Sequence, residues 1–330
     1  MNTTLFSTRH VTSTRVADRP RSDRDQVQDD ATGPVHDAAE RALVLGGGGS
    51  AGNAWLIGVI AGLFDAGLDV TEAELTIGTS AGSTAAAQIT SATPTELLAA
   101  ILDAPPQPAG PAGSGSGHAP TGPAGNVMER TGAIIAAAED PPDMRRRMGA
   151  EMLDMDAASE TSRHSRWRAT VAARLPSQRW PERPLLIVAV DAHSGEPVVF
   201  DRHSGVDVAD AVAASCSNGF AYGIGDSRYI DGGYRRSSEN ADLAVGYGRV
   251  LVLSPLGGRT RAPLDWGMQL AVQVDELRAG GSRVETIVPD SNSREAFGDN
   301  MMDLSRRTPA ARAGYAQGGA LAGQLSEFWR

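Results

Sequence analysis

Two glycine-flanked serines and one late aspartate are the residues of this chain whose types and spacing could do chemistry. Gly78-Thr79-Ser80-Ala81-Gly82 fits the pattern G-x-S-x-G, and so does Gly48-Gly49-Ser50-Ala51-Gly52. Glycines on both sides of a serine permit a sharp strand-to-helix turn that projects the hydroxyl from the end of a strand, the posture of a nucleophile. The pattern alone is weak in a chain with 38 glycines. The second match sits in a longer run, Ala42-Leu43-Val44-Leu45-Gly46-Gly47-Gly48-Gly49, which reads as a buried strand emptying into four glycines and then an apolar helix over 53–64. Such a turn aims bare backbone N–H groups at one spot, at the positive end of a helix. An anion suits it: a phosphate, or an oxyanion that exists only in a transition state.

Rigidity favours Ser80 over Ser50 as the nucleophile, because a nucleophile has to be held within reach of its base. Ser50 hangs from four consecutive glycines, whereas Ser80 is followed by Ala81, Gly82, Ser83 and Ala85, small side chains that let another backbone approach closely. The glycine loop then serves Ser80 as its oxyanion hole. Read structurally, both motifs would be unrelated tight turns in an α/β sheet.

Serine needs a base. Histidine is the usual one, but His10 and His36 fall in a polar tail, His118 and His164 in an apparent insertion, and none lies beyond His203. A Ser…Asp…His order would use Asp191 with His193 or His203, and His193 sits in an apparent hairpin turn. Asp231 is better placed: it ends a short strand, and Gly232 and Gly233 let the chain turn directly beneath a neighbour. A carboxylate serves as the base where the site is dry enough to raise its proton affinity. Alone, Asp231 would read as an ordinary turn residue.

The elements that must position these residues follow from hydrophobic patterning. Strand, turn and helix occur twice between 42 and 91, a βαβ pattern that implies a parallel sheet. The sheet resumes with a strand at 184–191 and a hairpin return at 198–200. A helix at 208–216, a strand ending at Asp231, a strand at 250–253, a helix at 264–279, a strand at 284–288 and a helix at 309–328 complete the pattern. Residues 1–38 are polar and aperiodic and are expected to be disordered, with one domain over 39–330. Within it, 103–125 is rich in Pro, Gly and Ser, and 104–183 reads as an insertion with helices at 127–138 and 141–174. That insertion is either a solvated helical pair or a lid.

As an ordered set, the glycine loop, Gly78-Thr79-Ser80-Ala81-Gly82 and Asp231-Gly232-Gly233 resemble the patatin-like phospholipase family over roughly residues 40–330. The strand and hairpin at 188–200, the helix at 210–216 and Asn240 add to the match. The resemblance implies a three-layer α/β fold, a mostly parallel central sheet flanked by helices with a helical insertion. It implies a Ser-Asp dyad lipid acyl hydrolase in which Ser80 attacks the ester carbonyl and Asp231 takes its proton and passes it to the leaving alcohol. The N–H groups of Gly47, Gly48 and Gly49 would hold the oxyanion; Gly52, Gly78, Gly82, Gly232 and Gly233 would support the turns. No metal or organic cofactor is implied, and the substrates would be phospholipids, lysophospholipids or related acyl esters. Two positions depart from the family: Ala51 stands where a basic residue is usual, and 217–225 lacks the usual prolines.

Composition narrows the alternatives. Hydrophobic residues make up 41% and aromatics only 5%, so the core is built from Ala, Val, Leu and Ile. All 30 basic residues are Arg, which excludes a catalytic or phosphate-loop lysine. The net charge of −10 argues against nucleic acid as a partner and against electrostatic attraction to anionic membranes. One cysteine, Cys216, allows neither an internal disulfide nor a cysteine-based metal site. No window is long enough to span a membrane, and a cytoplasmic protein with at most peripheral membrane contact is expected, its oligomeric state open. Two other classes stay in view. One is a catalytically silent relative that binds lipid or a partner. The other is a nucleotide-binding protein using the glycine loop, which lacks a lysine and a ribose-binding acid.

Overall fold

The strands form where runs of Leu with β-branched Val and Ile lie between turn residues, and the computed structural model describes residues 40–105, 123–157 and 162–330. The expected tail at 1–38 and most of the Pro/Gly/Ser-rich stretch lie outside the described residues. In chain order the elements are β1 (Arg41–Leu45), α1 (Gly49–Asp65), β2 (Leu75–Thr79), α2 (Ala81–Ile89), α3 (Pro94–Leu102), α4 (Pro123–Ala137), α5 (Pro141–Ala157) and α6 (Ser162–Ala172). They continue with β3 (Leu185–Asp191), β4 (Pro197–Phe200), α7 (Val208–Ser215), β5 (Tyr222–Ile224), β6 (Ser227–Asp231), β7 (Arg249–Leu253), α8 (Leu270–Ala279), β8 (Arg283–Ile287), α9 (Ser291–Phe297) and α10 (Arg307–Trp329).

Five strands run parallel in the order β3-β2-β1-β7-β8. β4 and β6 both pair antiparallel with β3, and β5 forms a hairpin with β6. Side chains alternate across the sheet. Leu43, Leu45, Leu251 and Leu253 pack with α1, α2, α7 and α10, while Ala42, Val44, Val250 and Val252 pack with α8 on the opposite face. The result is a mostly parallel sheet flanked by helices. A third apolar cluster joins α4 and α5 to Val190 and Ile230.

Helix α1 is apolar all round because it is covered all round: every residue from Ala51 to Leu63 is buried. On its outer side α10 approaches so closely that a methyl on Gly58 would lie 2.2 Å from Ala311 O, and one on Gly318 would lie 2.2 Å from Val59 O. The longest apolar stretch of the sequence is therefore the centre of the fold. Among the described residues no helix is long and apolar enough to cross a membrane.

Several elements differ from the sequence-based expectation. α1 begins at Gly49, four residues before the expected start, because the Ala51 N–H bonds to Met301 O (2.9 Å) and Gly49 takes φ 64. The helix expected over 264–279 is broken at Gly267, which adopts φ 63, leaving a single turn before α8. α3 was not anticipated, yet Thr93 and Glu96 form a reciprocal capping box with Pro94 at the first position. β5 lies within the proline-free segment 217–225, where no strand is expected; the Gly225-Asp226 turn, with Gly225 at φ 57, closes it onto β6. Residues 141–174 divide into α5 and α6, with 158–161 outside the described residues.

Candidate active site

The sheet brings two strand ends together head to head. β2 runs parallel to β3 and ends with Thr79 opposite Val188; β6 runs antiparallel to β3 and ends with Asp231 opposite Ala189. β4 occupies the other edge of β3, pairing with both Val188 and Ala189, so β2 and β6 lie along the same edge. Their carboxyl ends therefore meet across two consecutive residues, and the turns after Thr79 and at Asp231 are forced into one place. Gly232 is needed there, because a methyl would sit 2.1 Å from Val188 O.

Ser80 makes the first of these turns with φ 53 and ψ −121, a conformation rarely tolerated outside glycine. Gly82 lets the turn close: a methyl at that position would lie 1.9 Å from Leu45 O, the end of β1. Helix α7 fixes the elbow from behind. The Ser80 N–H donates to Ser215 Oγ (2.9 Å), and the Cys216 Sγ donates to Ser80 O (3.0 Å). Burial, reinforced by the charge of Asp231, pushes the Cys216 thiol up to about 11, so it stays neutral and inert beside the serine.

Asp231 is buried, 8% exposed. Burial pushes its carboxyl from 3.8 up to about 6, while hydrogen bonds from the Gly233 N–H (2.8 Å) and the Ser80 side chain pull the other way. The two residues singled out in the sequence thus come together, Ser80 half-buried and Asp231 buried, near enough for the serine side chain to favour the ionised carboxylate.

The third part, the glycine loop, lies against Ser80: a methyl on Gly47 would be 3.3 Å from Ser80 Cβ. The amides of Gly46 and Gly47 are engaged by Leu253 O (3.0 Å) and Ser238 O (2.9 Å). Gly48 and Gly49, at the head of α1, belong to the first amides of a helix, which have no intrahelical acceptor. Of the three glycines expected to hold an oxyanion, Gly47 spends its N–H on the fold. Gly48 and Gly52 are wedged against Pro255, and Gly78 against Ser83.

Two buried residues hold this assembly together. Asn240, fully buried with φ 53, donates from Nδ2 to Thr79 Oγ1 and to Gly232 O, both at 3.0 Å. One side chain thereby ties the end of β2 to the turn after β6. Glu239, also fully buried, accepts from Ser238 Oγ (2.6 Å), Ser254 Oγ (2.7 Å) and Ser237 Oγ (2.8 Å), bracing the segment whose Ser238 carbonyl holds Gly47. Sequence reasoning noticed Asn240 without its role and missed Ser215 and Glu239. The uninterrupted polar run Ser237-Ser238-Glu239-Asn240 was the available signal.

The alternatives do not assemble. The Asp191 carboxylate is spent within its own turn on the N–H groups of His193 (3.0 Å) and Ser194 (2.8 Å), and His203 lies in a second exposed turn. Ser50 sits in the first turn of α1 beside Arg307 rather than at an elbow. Among the described residues no group of three or more His, Cys, Asp or Glu side chains could hold a metal ion.

No family model and no curated protein matches this chain. Among solved structures it is similar to VipD from Legionella pneumophila, at 15% identity and a TM-score of 0.38, over 87% of this chain and 67% of that one. A likeness that shallow says nothing of activity.

Proposed function

We propose that this chain is a serine acyl hydrolase of patatin-like type, cleaving carboxylic esters of lipids through Ser80 and Asp231. The observation that carries the reading is the pairing itself: a serine in a strained elbow, beside a buried carboxylate titrating near 6 and next to helix-start amides that have no intrahelical acceptor. Ionised Asp231 accepts the Ser80 proton as Oγ bonds to the ester carbonyl carbon. The carbonyl oxygen, now an anion, is held by the Gly48 and Gly49 amides at the positive end of α1. Collapse breaks the ester C–O bond, and the proton on Asp231 goes to the departing alcohol. Water then attacks the acyl-serine, gives its proton to Asp231, and releases the acid with the proton returned to Ser80. Apolar surface beside the loop fits a lipid: Met302 is 69% exposed and reaches Gly49, and Leu304 is 45% exposed nearby. Phospholipids or lysophospholipids met at a membrane surface are the substrates this arrangement suits.

Fluorophosphonate labelling with intact mass and peptide mapping tests the reading. A single adduct on the Ser80 peptide, lost in Ser80→Ala, is the expected result. An adduct on Ser50, or no adduct from folded protein, would sink it.

A further inference from the structure

The first turn of α1 carries an electrostatic conflict that acyl transfer does not use. Arg307, at the start of α10, reaches into that turn: its Nη1 donates to Ser50 O (3.2 Å) and Asn53 Oδ1 (3.1 Å) and lies 3.5 Å from Ser50 Oγ. A cation there faces the positive end of the helix, and α1 has no acidic residue in its first turn to offset it. Arg174, exposed over the Trp167 ring at 5.8 Å, adds a second positive charge. Burial, and then the nearness of Arg174, holds Arg307 below the usual guanidinium range.

Several other partly buried arginines pair with carboxylates, Arg41 with Glu74 (2.7 Å), Arg235 with Asp242 (2.8 Å) and Arg236 with Glu276 (2.7 Å), while Arg145 is held by two carbonyls, Gly195 O and Arg235 O. With 40 Asp and Glu against 30 Arg, carboxylates are not scarce. Yet among the described residues neither Arg307 nor Arg174 pairs with one. Among the described residues the bonds of Arg307 all run through Nη1, and the residue is half-buried. Three unfavourable features, a helix start, a neighbouring cation and partial burial, are relieved together by one anion.

The place is beside the nucleophile. Asn53 bonds Arg307 on one side and Gln88 (3.1 Å) on the other, and Gln88 bonds Arg174 O (3.0 Å). Asn53 Nδ2 also approaches Ala81 O at 3.5 Å, one residue from Ser80. The charge of Arg174 is felt at the Cys216 thiol, which touches Ser80 O. We propose that Arg307 and Arg174 form a subsite for a phosphoryl group carried by the ester that Ser80 cleaves. This rests on the hydrolase reading only in joining phosphate and ester in one molecule.

The test uses the full chain, with Arg307→Gln, Arg174→Gln and, as a charge control on the exposed side of α10, Arg312→Gln. Arg174→Gln keeps the test open should Arg307→Gln fail to fold. In the first arm, inorganic phosphate is titrated while thermal unfolding is followed. Wild type and Arg312→Gln are expected to gain stability, and the other two variants to lose most of that gain. In the second arm, a phosphate-bearing lysolipid and a neutral ester of the same acyl chain are compared. The ratio of their kcat/KM values is expected to fall about tenfold or more in Arg307→Gln. No phosphate effect on wild type, or an equal effect in all variants, overturns the subsite. Phosphate stabilisation with an unchanged ratio means a free anion is bound, which overturns the substrate assignment. Turnover of neither ester would count against the hydrolase reading, while the phosphate arm still decides the subsite.

Discussion

At the scale of single residues, Asp231 sets stability against chemistry. Its carboxyl titrates near 6 in the folded chain instead of 3.8. Between those values the folded chain holds a proton that the unfolded chain has released. Stability from this group is therefore present at low pH and is lost as pH rises through about 6; the full cost is on the order of 1–3 kcal/mol. Asp231→Asn keeps the acceptor for the Gly233 N–H and removes the buried charge. Its unfolding midpoint is expected to exceed wild type by several degrees at pH 8 and to converge with it near pH 4, while ester hydrolysis is lost. Equal midpoints at both pH values would mean Asp231 is not a desolvated carboxylate. The same titration gives kcat/KM an acidic limb: activity should fall about tenfold per pH unit below roughly 6. A limb that persists in an Asp231 variant with residual turnover would assign it to another group. Ser80 and Asp231 were legible in the sequence because their requirement for flanking glycine is local. Ser215 and the role of Asn240 were not, because they reach the elbow from 135 and 161 residues away.

At the scale of elements, the site depends on two strands ending against each other, and Asn240 is their clamp. Asn240→Ala leaves the Thr79 hydroxyl buried without a partner and removes one of two bonds to the Gly232 carbonyl, which keeps the Arg235 N–H (3.1 Å), a loss of about 1–2 kcal/mol. Because the lost bonds hold Ser80 and Asp231 in register rather than touch substrate, kcat and the labelling rate should fall more than tenfold with little change in KM. Unaltered labelling of a folded Asn240→Ala protein would show that the strand ends keep their register without it. The strands themselves could be read from their Val and Leu runs. Their antiparallel return along one edge of β3 could not, since no local pattern says that β6 will continue the line of β2. The break at Gly267 and the early start of α1 were missed for a related reason: a glycine's φ is set by contacts such as Met301 O against Ala51, which come from the far end of the chain.

At the scale of the whole molecule, the first helix of the domain is enclosed by the last. Trp55 donates to Ser293 Oγ (3.1 Å) and Gln317 Oε1 (3.1 Å), 238 and 262 residues away. The core around α1 is thus complete only when α10 is in place. α10 buries Ala310, Ala311, Ala322, Leu325, Phe328 and Trp329. At about 1.5–3 kcal/mol for each large apolar side chain, their loss together with exposure of α1 exceeds the 5–15 kcal/mol that stabilises an ordinary domain. A chain ending at Arg306 should therefore fail to fold. A finer test keeps the helix and moves it. Gly318→Leu places carbon against Val59 O, where even a methyl would lie 2.2 Å away, and backbone cannot yield as a side chain can. Strain of this kind costs about 1–3 kcal/mol or more, so the unfolding midpoint should drop by several degrees. The displacement also acts on the site, because α10 begins at Arg307 and the preceding loop holds Ala51 through Met301. Folded Gly318→Leu protein should label more slowly at Ser80 and lose part of its stabilisation by phosphate. Wild-type stability in that variant would mean that the two helices can separate freely, and that α10 does not set the glycine loop.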